Sequence, residues 1–192
     1  MSLEPQLSGA GSALAATDEQ VMEVDRRNEL ERQYEGLWRE YGASLSRLAA
    51  SYECLPHARE DLLQEIRLAI WTALPRFRGE SSLRTFVYRI AHNRALTHVW
   101  RRGARVPITN EIQEPADDRP NPESSVVRAA EEARLMVAVR GLPVAYRQTI
   151  TMALEDLPLA EIAAVLGITE NNVGVRLNRA RKMLRERLGG KQ

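Results

Sequence analysis

LAEIAAVLGITENNVGVRLNRAR, residues 159–181, is the stretch that decides the fold. Glu161, Ile162, Ala163, Val165 and Leu166 fit a short amphipathic helix. Gly167 permits the left-handed backbone that ends it, and Ile168 is an apolar plug for the turn. Thr169 can cap a second helix, whose apolar positions Val173, Leu177 and Ala180 fall on one face. Helix, three-residue turn with glycine, and second helix form a helix-turn-helix pattern. Such a second helix fits the major groove. Its outward positions include Asn171, Asn172, Arg176, Asn178, Arg179 and Arg181. Arginine and asparagine read guanine and adenine edges, and Lys182, Arg185 and Arg187 continue a basic stripe suited to phosphates. The competing reading is a helical hairpin whose basic face is merely solvated.

Working outward, residues 126–188 are helical again within a domain spanning 126–192, with Val126–Arg140 and Pro143–Leu154 ahead of the motif. Residues 103–125 differ. Pro107, Pro115, Pro120 and Pro122 stand among Glu111, Glu114, Asp117, Asp118 and Glu123, which describes an acidic, proline-stiffened linker. A stretch of that length without periodicity is long for a loop inside one domain, so it marks a boundary. Residues 25–102 hold three further helices. Tyr34, Leu37, Trp38, Tyr41, Leu45, Leu48 and Tyr52 mark the first, over 25–54. Leu63, Ile66, Ile70 and Leu74 mark the second, over 59–74. Leu83, Phe86, Val87, Ile90 and Leu96 mark the third, over 83–102. Residues 1–24 are small, polar and Gly/Ala/Ser-rich and are expected to be a disordered arm. No segment reads as a strand. The expected fold is all-α, with two small helical domains joined by a linker.

The 192 residues leave room for one domain or two small ones. The formal net charge of +1 conceals an alternation: −4 over 1–24, +4 over 25–102, −4 over 103–133 and +5 over 134–192. Two basic blocks are two candidate anion-binding faces. Of the 27 basic residues only Lys182 and Lys191 are lysine. Arginine suits bidentate phosphate and guanine contacts, although a GC-rich coding bias produces the same excess. Cys54 is the only cysteine, which excludes an internal disulfide framework and a multi-cysteine zinc site and suits a reducing cytoplasm. His57, His92 and His98 are too scattered for a metal motif, so neither a cofactor nor a metal is expected. No apolar run approaches the ~20 residues of a membrane span, and no secretory leader is recognisable. A cytoplasmic protein without membrane insertion is expected.

The basic block before the linker carries two further signals. Glu60-Asp61-Leu62-Leu63-Gln64-Glu65 places Asp61 and Glu65 one turn apart, with Gln64 alongside. An acidic docking face for a protein partner is one reading. The other is favourable placement of acids near a helix start. Between Glu80 and Glu111 there is no acidic residue, while Arg84, Arg89, Arg94, Arg101 and Arg102 alternate with Phe86, Tyr88 and Trp100. Arginines with interleaved aromatics can hold single-stranded DNA. By spacing Phe86 belongs to the core, and Tyr88 is the better stacking candidate.

Asp-Leu-Leu-Gln-Glu (61–65), Phe-Arg-Gly-Glu-Ser-Ser (77–82), Thr-Phe-Val-Tyr-Arg-Ile-Ala-His-Asn (85–93), the linker, Leu-Pro with Arg-Gln (142–148) and the terminal helix-turn-helix occur in an order that resembles the extracytoplasmic-function (group 4) bacterial sigma factors. The resemblance covers about residues 28–188. It implies a sigma region 2-like domain that docks on core RNA polymerase through Asp61, Leu62, Gln64 and Glu65. It implies recognition and opening of a −10 promoter element by Arg78, Glu80, Ser81, Ser82, Arg84, Tyr88, Arg89 and Asn93. A sigma region 4-like domain would read the −35 element through Arg147, Asn171, Asn172, Val175, Arg176, Asn178 and Arg179. Core polymerase and promoter DNA are the implied partners, with an anti-sigma protein as a candidate regulator. Gly174, where the family commonly has Lys or Arg, Val175, where it has Ser, and Thr97, where an acid is common, are departures. No phosphate loop, nucleophile motif or carboxylate–histidine arrangement points to catalysis. A conventional helix-turn-helix regulator acting without polymerase is the alternative. It leaves Asp61–Glu65 and the arginine-aromatic helix unexplained.

Overall fold

A computed structural model describes the backbone of residues 10–103 and 123–189, and the side chains within 20–101 and 130–189. Seven α-helices account for nearly all of it, and no strand occurs among the described residues. They are α1 (Ala10–Tyr52), α2 (Pro56–Ala73), α3 (Leu83–Gly103), α4 (Glu123–Arg140), α5 (Val144–Leu154), α6 (Leu159–Leu166) and α7 (Glu170–Gly189), with a short 3-10 turn at Leu74–Arg76 after α2. The chain divides at Glu40/Tyr41 into two compact units.

The first unit is helical from Ala10, so residues 10–24, expected in a disordered arm, continue α1. Its run of Ala, Glu, Gln and Leu has high intrinsic helix propensity. Exposed pairs one turn apart add to this: Arg26–Glu23 at 3.5 Å, Arg27–Glu31 at 3.1 Å and Arg32–Glu29 at 3.2 Å. Each contributes about 0.3–0.5 kcal/mol. Residues 1–9, and 104–122 of the expected linker, lie outside the described residues.

In the second unit, α2 begins at Pro56, where a first-turn proline is preset for the helix and lacks only an N–H the helix would not use. α2 buries Leu62, Leu63, Ile66 and Ile70 and packs on α3. Glu53 ties the connection between α1 and α2: it accepts the Leu55 N–H at 2.9 Å, and its other oxygen lies 3.2 Å from His98 Nε2 on α3. In the C-terminal half α5 and α6 both pack on α7, with Ile150, Met152, Ile162, Val173, Leu177 and Ala180 buried between them. The two halves also pack on each other, α3 against α6. Tyr41 onward therefore folds as a single unit rather than as two separate bodies.

That packing turns the core side of α3. Val87, Tyr88, Ala91, His92 and Ala95 are buried; of the expected stripe only Val87 is among them, whereas Leu83, Phe86, Ile90 and Leu96 are half-buried. Ala91 and Ala95 are small enough to let neighbouring elements approach closely, and the large side chains around them are then sealed.

Candidate nucleic-acid interface

The helix-turn-helix forms as its sequence dictates. Gly167 takes φ 65°, ψ 35°, and the Ile168 N–H closes the turn on Ala163 O at 3.1 Å. Thr169 Oγ1 accepts the Asn172 N–H at 3.3 Å, capping α7. Val173, Leu177, Ala180 and Leu184 are the buried stripe of α7. Asn171, Asn172, Val175, Asn178, Arg179, Lys182, Arg185 and Arg187 are exposed, and Arg176 is half-buried. Arg179 Nη1 donates to Tyr146 Oη at 3.4 Å. The α7 members of the expected set thus share one helix and, apart from half-buried Arg176, are open to solvent.

The loop before α3 turns at Gly79, whose φ of +73° is a left-handed conformation suited to glycine. It leaves Arg78 and Glu80 exposed and Ser81 half-buried. Ser82 has a structural duty besides: its Oγ accepts the Thr85 N–H at 3.0 Å and so caps α3. Asn93 is exposed. Two arginines of this face are engaged by the other half of the fold. Arg84 Nε donates to Glu161 Oε2 at 2.7 Å, and Arg89 Nη2 donates to Ala164 O at 2.8 Å, both acceptors lying on α6. The Glu161 carboxylate holds the Arg84 guanidinium above its ordinary range. A second ion pair joins the halves, Arg47 on α1 to Glu155 after α5, with two contacts of 2.7 and 2.6 Å.

Two expected site residues prove to be interior, and a third is half-buried. Tyr88 is 1% exposed, and burial pushes its phenol up. It was expected to be a free stacking platform, but α3 is turned so that Phe86, tilted on Phe77 at 4.7 Å, is the more open ring. Leu62 is fully buried and presents nothing to a partner in this conformation. Arg147 is drawn inward: its guanidinium lies 5.4 Å over the Tyr52 ring, and its Nη2 donates to the carbonyls of Arg140 and Leu142 at the end of α4. Its Nε is buried without a partner, and burial lowers its pKa.

Arg147 belongs to a cluster that sequence reasoning did not assemble. Tyr52 Oη lies 3.1 Å from His92 Nδ1, Tyr88 stacks on His92 at 6.4 Å, and Arg140 Nη1 donates to Ala50 O at 3.0 Å. Burial pushes His92 down to about 3, so its imidazole is neutral, with Nε2 buried and unpartnered. The members come from α1, α3, α4 and α5. The available signal was that Tyr52 lies on an apolar stripe and His92 one turn after Tyr88.

The acidic face is formed in part. Asp61 and Gln64 are exposed, with Gln64 Nε2 donating to Glu60 at 2.9 Å. Glu65 is half-buried, and its Oε2 is buried without a partner. Because α2 starts at Pro56, its first turn carries no acid, so dipole stabilisation does not account for Asp61 and Glu65. Beside Glu65 a groove of about 640 Å³ runs between α2 and α3, lined by Leu68, Thr72, Arg76 and Arg94 among others. Leu68 is 66% exposed there.

Two family models match the chain: sigma-70 region 2 over residues 37–105, and sigma-70 region 4 over residues 132–184. The ECF RNA polymerase sigma-E factor of Escherichia coli K12 is 32% identical over 136 residues, covering 65% of this chain and 70% of that protein. The chain is an extracytoplasmic-function sigma factor. The RNA polymerase sigma-H factor of Pseudomonas aeruginosa is 29% identical over 177 residues, 87% of this sigma factor and 91% of that one. Among solved structures, the sigma factor RpoE of Bartonella quintana, in complex with the anti-sigma factor NepR, is similar with a TM-score of 0.66 at 20% identity. It covers 84% of this chain and 99% of its own. CnrH in complex with the cytosolic domain of CnrY is similar with a TM-score of 0.62 at 24% identity, over 84% of this chain and 91% of its own. The region 2 match takes in all of α2 and α3, and the region 4 match spans the helix-turn-helix. No helix among the described residues is long and apolar enough to cross a membrane.

Proposed function

We propose a division of labour for this sigma factor. The part up to α3, residues 25–102, docks on core polymerase and opens the −10 element. The part from α4 onward, residues 126–192, reads the −35 duplex. Residues 103–125 connect the two. It acts in the cytoplasm, where polymerase works, and contributes binding rather than chemistry of its own. Asp61, Gln64 and Glu65 form the docking face. Exposed Leu68 in the adjoining groove supplies an apolar anchor for it. Arg78, Glu80, Ser81, Arg84, Arg89 and Asn93 bind the melted strand, with phosphate contacts giving salt-dependent affinity. An extruded base costs a few kcal/mol of lost stacking and pairing, which the Glu80–Ser82 loop offsets by binding it. On α7 the asparagines and arginines specify the duplex. We also assign an anti-sigma protein as a partner, on the likeness to structures that hold one.

The observation that carries this reading is the engagement of Arg84 and Arg89 by α6. The packed arrangement uses the cations of the −10 face internally, so it is a resting form that separates when polymerase and promoter bind. The test is co-purification with core polymerase and transcription from a linear template, comparing wild type with Asp61→Arg/Glu65→Arg. Wild-type binding that the double variant loses supports the docking face. Equal binding by both moves the face elsewhere. Failure of well-folded wild type to bind would return the chain to the class of conventional regulators.

A further inference from the structure

α7 carries two weak helix formers in succession, Gly174 on its flank and Val175 at its outward face. Neither is explained by packing. A methyl group added at Gly174 would meet no atom within 4 Å. Val175 is 41% exposed. A local preference broken without internal compensation points to function.

The position of Val175 is specific. With about 100° per residue, it lies roughly opposite Leu184 and so opposite the whole buried stripe. On either side, within about 60°, stand Asn171, Asn172, Asn178, Arg179 and Lys182, all exposed. The foremost point of the reading helix is thus an isopropyl group framed by amide and cationic side chains. A helix entering the major groove places that point against base edges. The one methyl group those edges present is the C5-methyl of thymine. Valine against a polar edge strips it of water without offering a hydrogen bond, which is unfavourable. Valine against the methyl buries apolar surface on both partners. Gly174 flanks this point with bare backbone, letting the helix settle more deeply on that side.

We propose that Val175 reads the C5-methyl group of one thymine in the −35 duplex, with Gly174 leaving the room for that approach. This rests on the assignment of α7 to −35 recognition and adds a base identity to it.

The test begins with a randomised duplex library bound by the full chain assembled with core polymerase. The selected duplex is then remade with deoxyuridine in place of each thymidine in turn, which removes only the methyl. We expect one position where the change weakens wild-type binding about fourfold, the worth of one buried methyl group. Val175→Ala, an exposed change to a better helix former, should bind the thymidine and deoxyuridine duplexes alike at that position. A loss that is the same in Val175→Ala, or no loss at any thymine, overturns the inference while leaving −35 recognition standing. A library without any motif that Asn178→Ala or Arg179→Ala relaxes overturns that underlying assignment and this inference together.

Discussion

Neutralising Glu155 and Glu161 together should open the resting form. Both carboxylates pair across the two halves, Glu161 with Arg84 at 2.7 Å and Glu155 with Arg47 through both oxygens. The Glu161 pair is about one third exposed on each side, at 31% and 27%, while Arg47 is 55% exposed against a Glu155 that is 8% exposed. A buried charge-assisted hydrogen bond is worth more than this and a surface pair less, so solvent leaves each at roughly 1 kcal/mol. The two pairs involve separate partners, and their losses should add to about 2 kcal/mol. That is roughly a thirtyfold shift from packed to separated chains. Glu155→Gln/Glu161→Gln keeps the shape and an acceptor oxygen and removes only the charge. Energy transfer between a dye on Cys54, which is exposed and the only cysteine, and one on a cysteine introduced at Asn178 reports the separation directly. Affinity for a single-stranded −10 oligonucleotide, read by anisotropy, should rise in step, because Arg84 is released. Unchanged transfer and unchanged affinity in a double variant of normal helicity would refute the claim that these pairs hold the halves together.

Two further outcomes follow from the core. His92 sits below the ordinary imidazole value, at about 3, so its contribution to stability is complete above roughly pH 6.5 and declines as the pH falls toward 3. Between pH 7.5 and pH 5 the loss from this group is about 2 kcal/mol, and urea unfolding of wild type beside His92→Gln should show a shallower acid slope in the variant. Leu62→Ala should destabilise by about 2–5 kcal/mol as a core cavity, and its polymerase binding at low temperature should fall only in proportion to the unfolded fraction. A folded Leu62→Ala protein that fails to bind would place Leu62 back in the docking face.

Most of the helical plan is legible in the sequence because its signals are local. Gly167, Thr169 and the apolar spacing of α6 and α7 settle their own geometry within two turns, and α5, α6 and α7 begin and end within a residue or two of expectation. What escapes is whatever depends on a neighbour distant in sequence. α3 is amphipathic on two sides, and spacing alone favours the Leu83/Phe86/Ile90 side. Tyr88 and His92 are interior because distant elements reach them, Tyr52 of α1 lying against His92. Arg147 reads as a surface cation because nothing near it in sequence announces Tyr52, over whose ring it lies. The extension of α1 back to Ala10 is a different kind of miss. There the small residues suggested disorder, while the helix propensity of alanine and glutamate, summed over several turns, favoured continuation.

The same cations have two sets of partners, and this links regulation to recognition. Arg84 is neutralised by Glu161, and Arg89 is satisfied by a backbone carbonyl of α6. If these arginines hold the melted strand, phosphate and α6 compete for them, and each occupant excludes the other. Promoter binding then opens the chain by its differential affinity for the separated form and needs no separate trigger. Salt acts on both sides of the competition. It weakens the Glu155 and Glu161 pairs and screens the phosphates as well. Raising salt should cost more in promoter affinity than it gains by opening if the strand makes more phosphate contacts than the two ion pairs released. Glu155→Gln/Glu161→Gln should therefore bind the −10 strand more tightly than wild type at every ionic strength. The advantage should narrow as salt rises, because the pairs it lacks are then weak in wild type too. An advantage that does not narrow as salt rises would refute the claim that it comes from the loss of these two ion pairs.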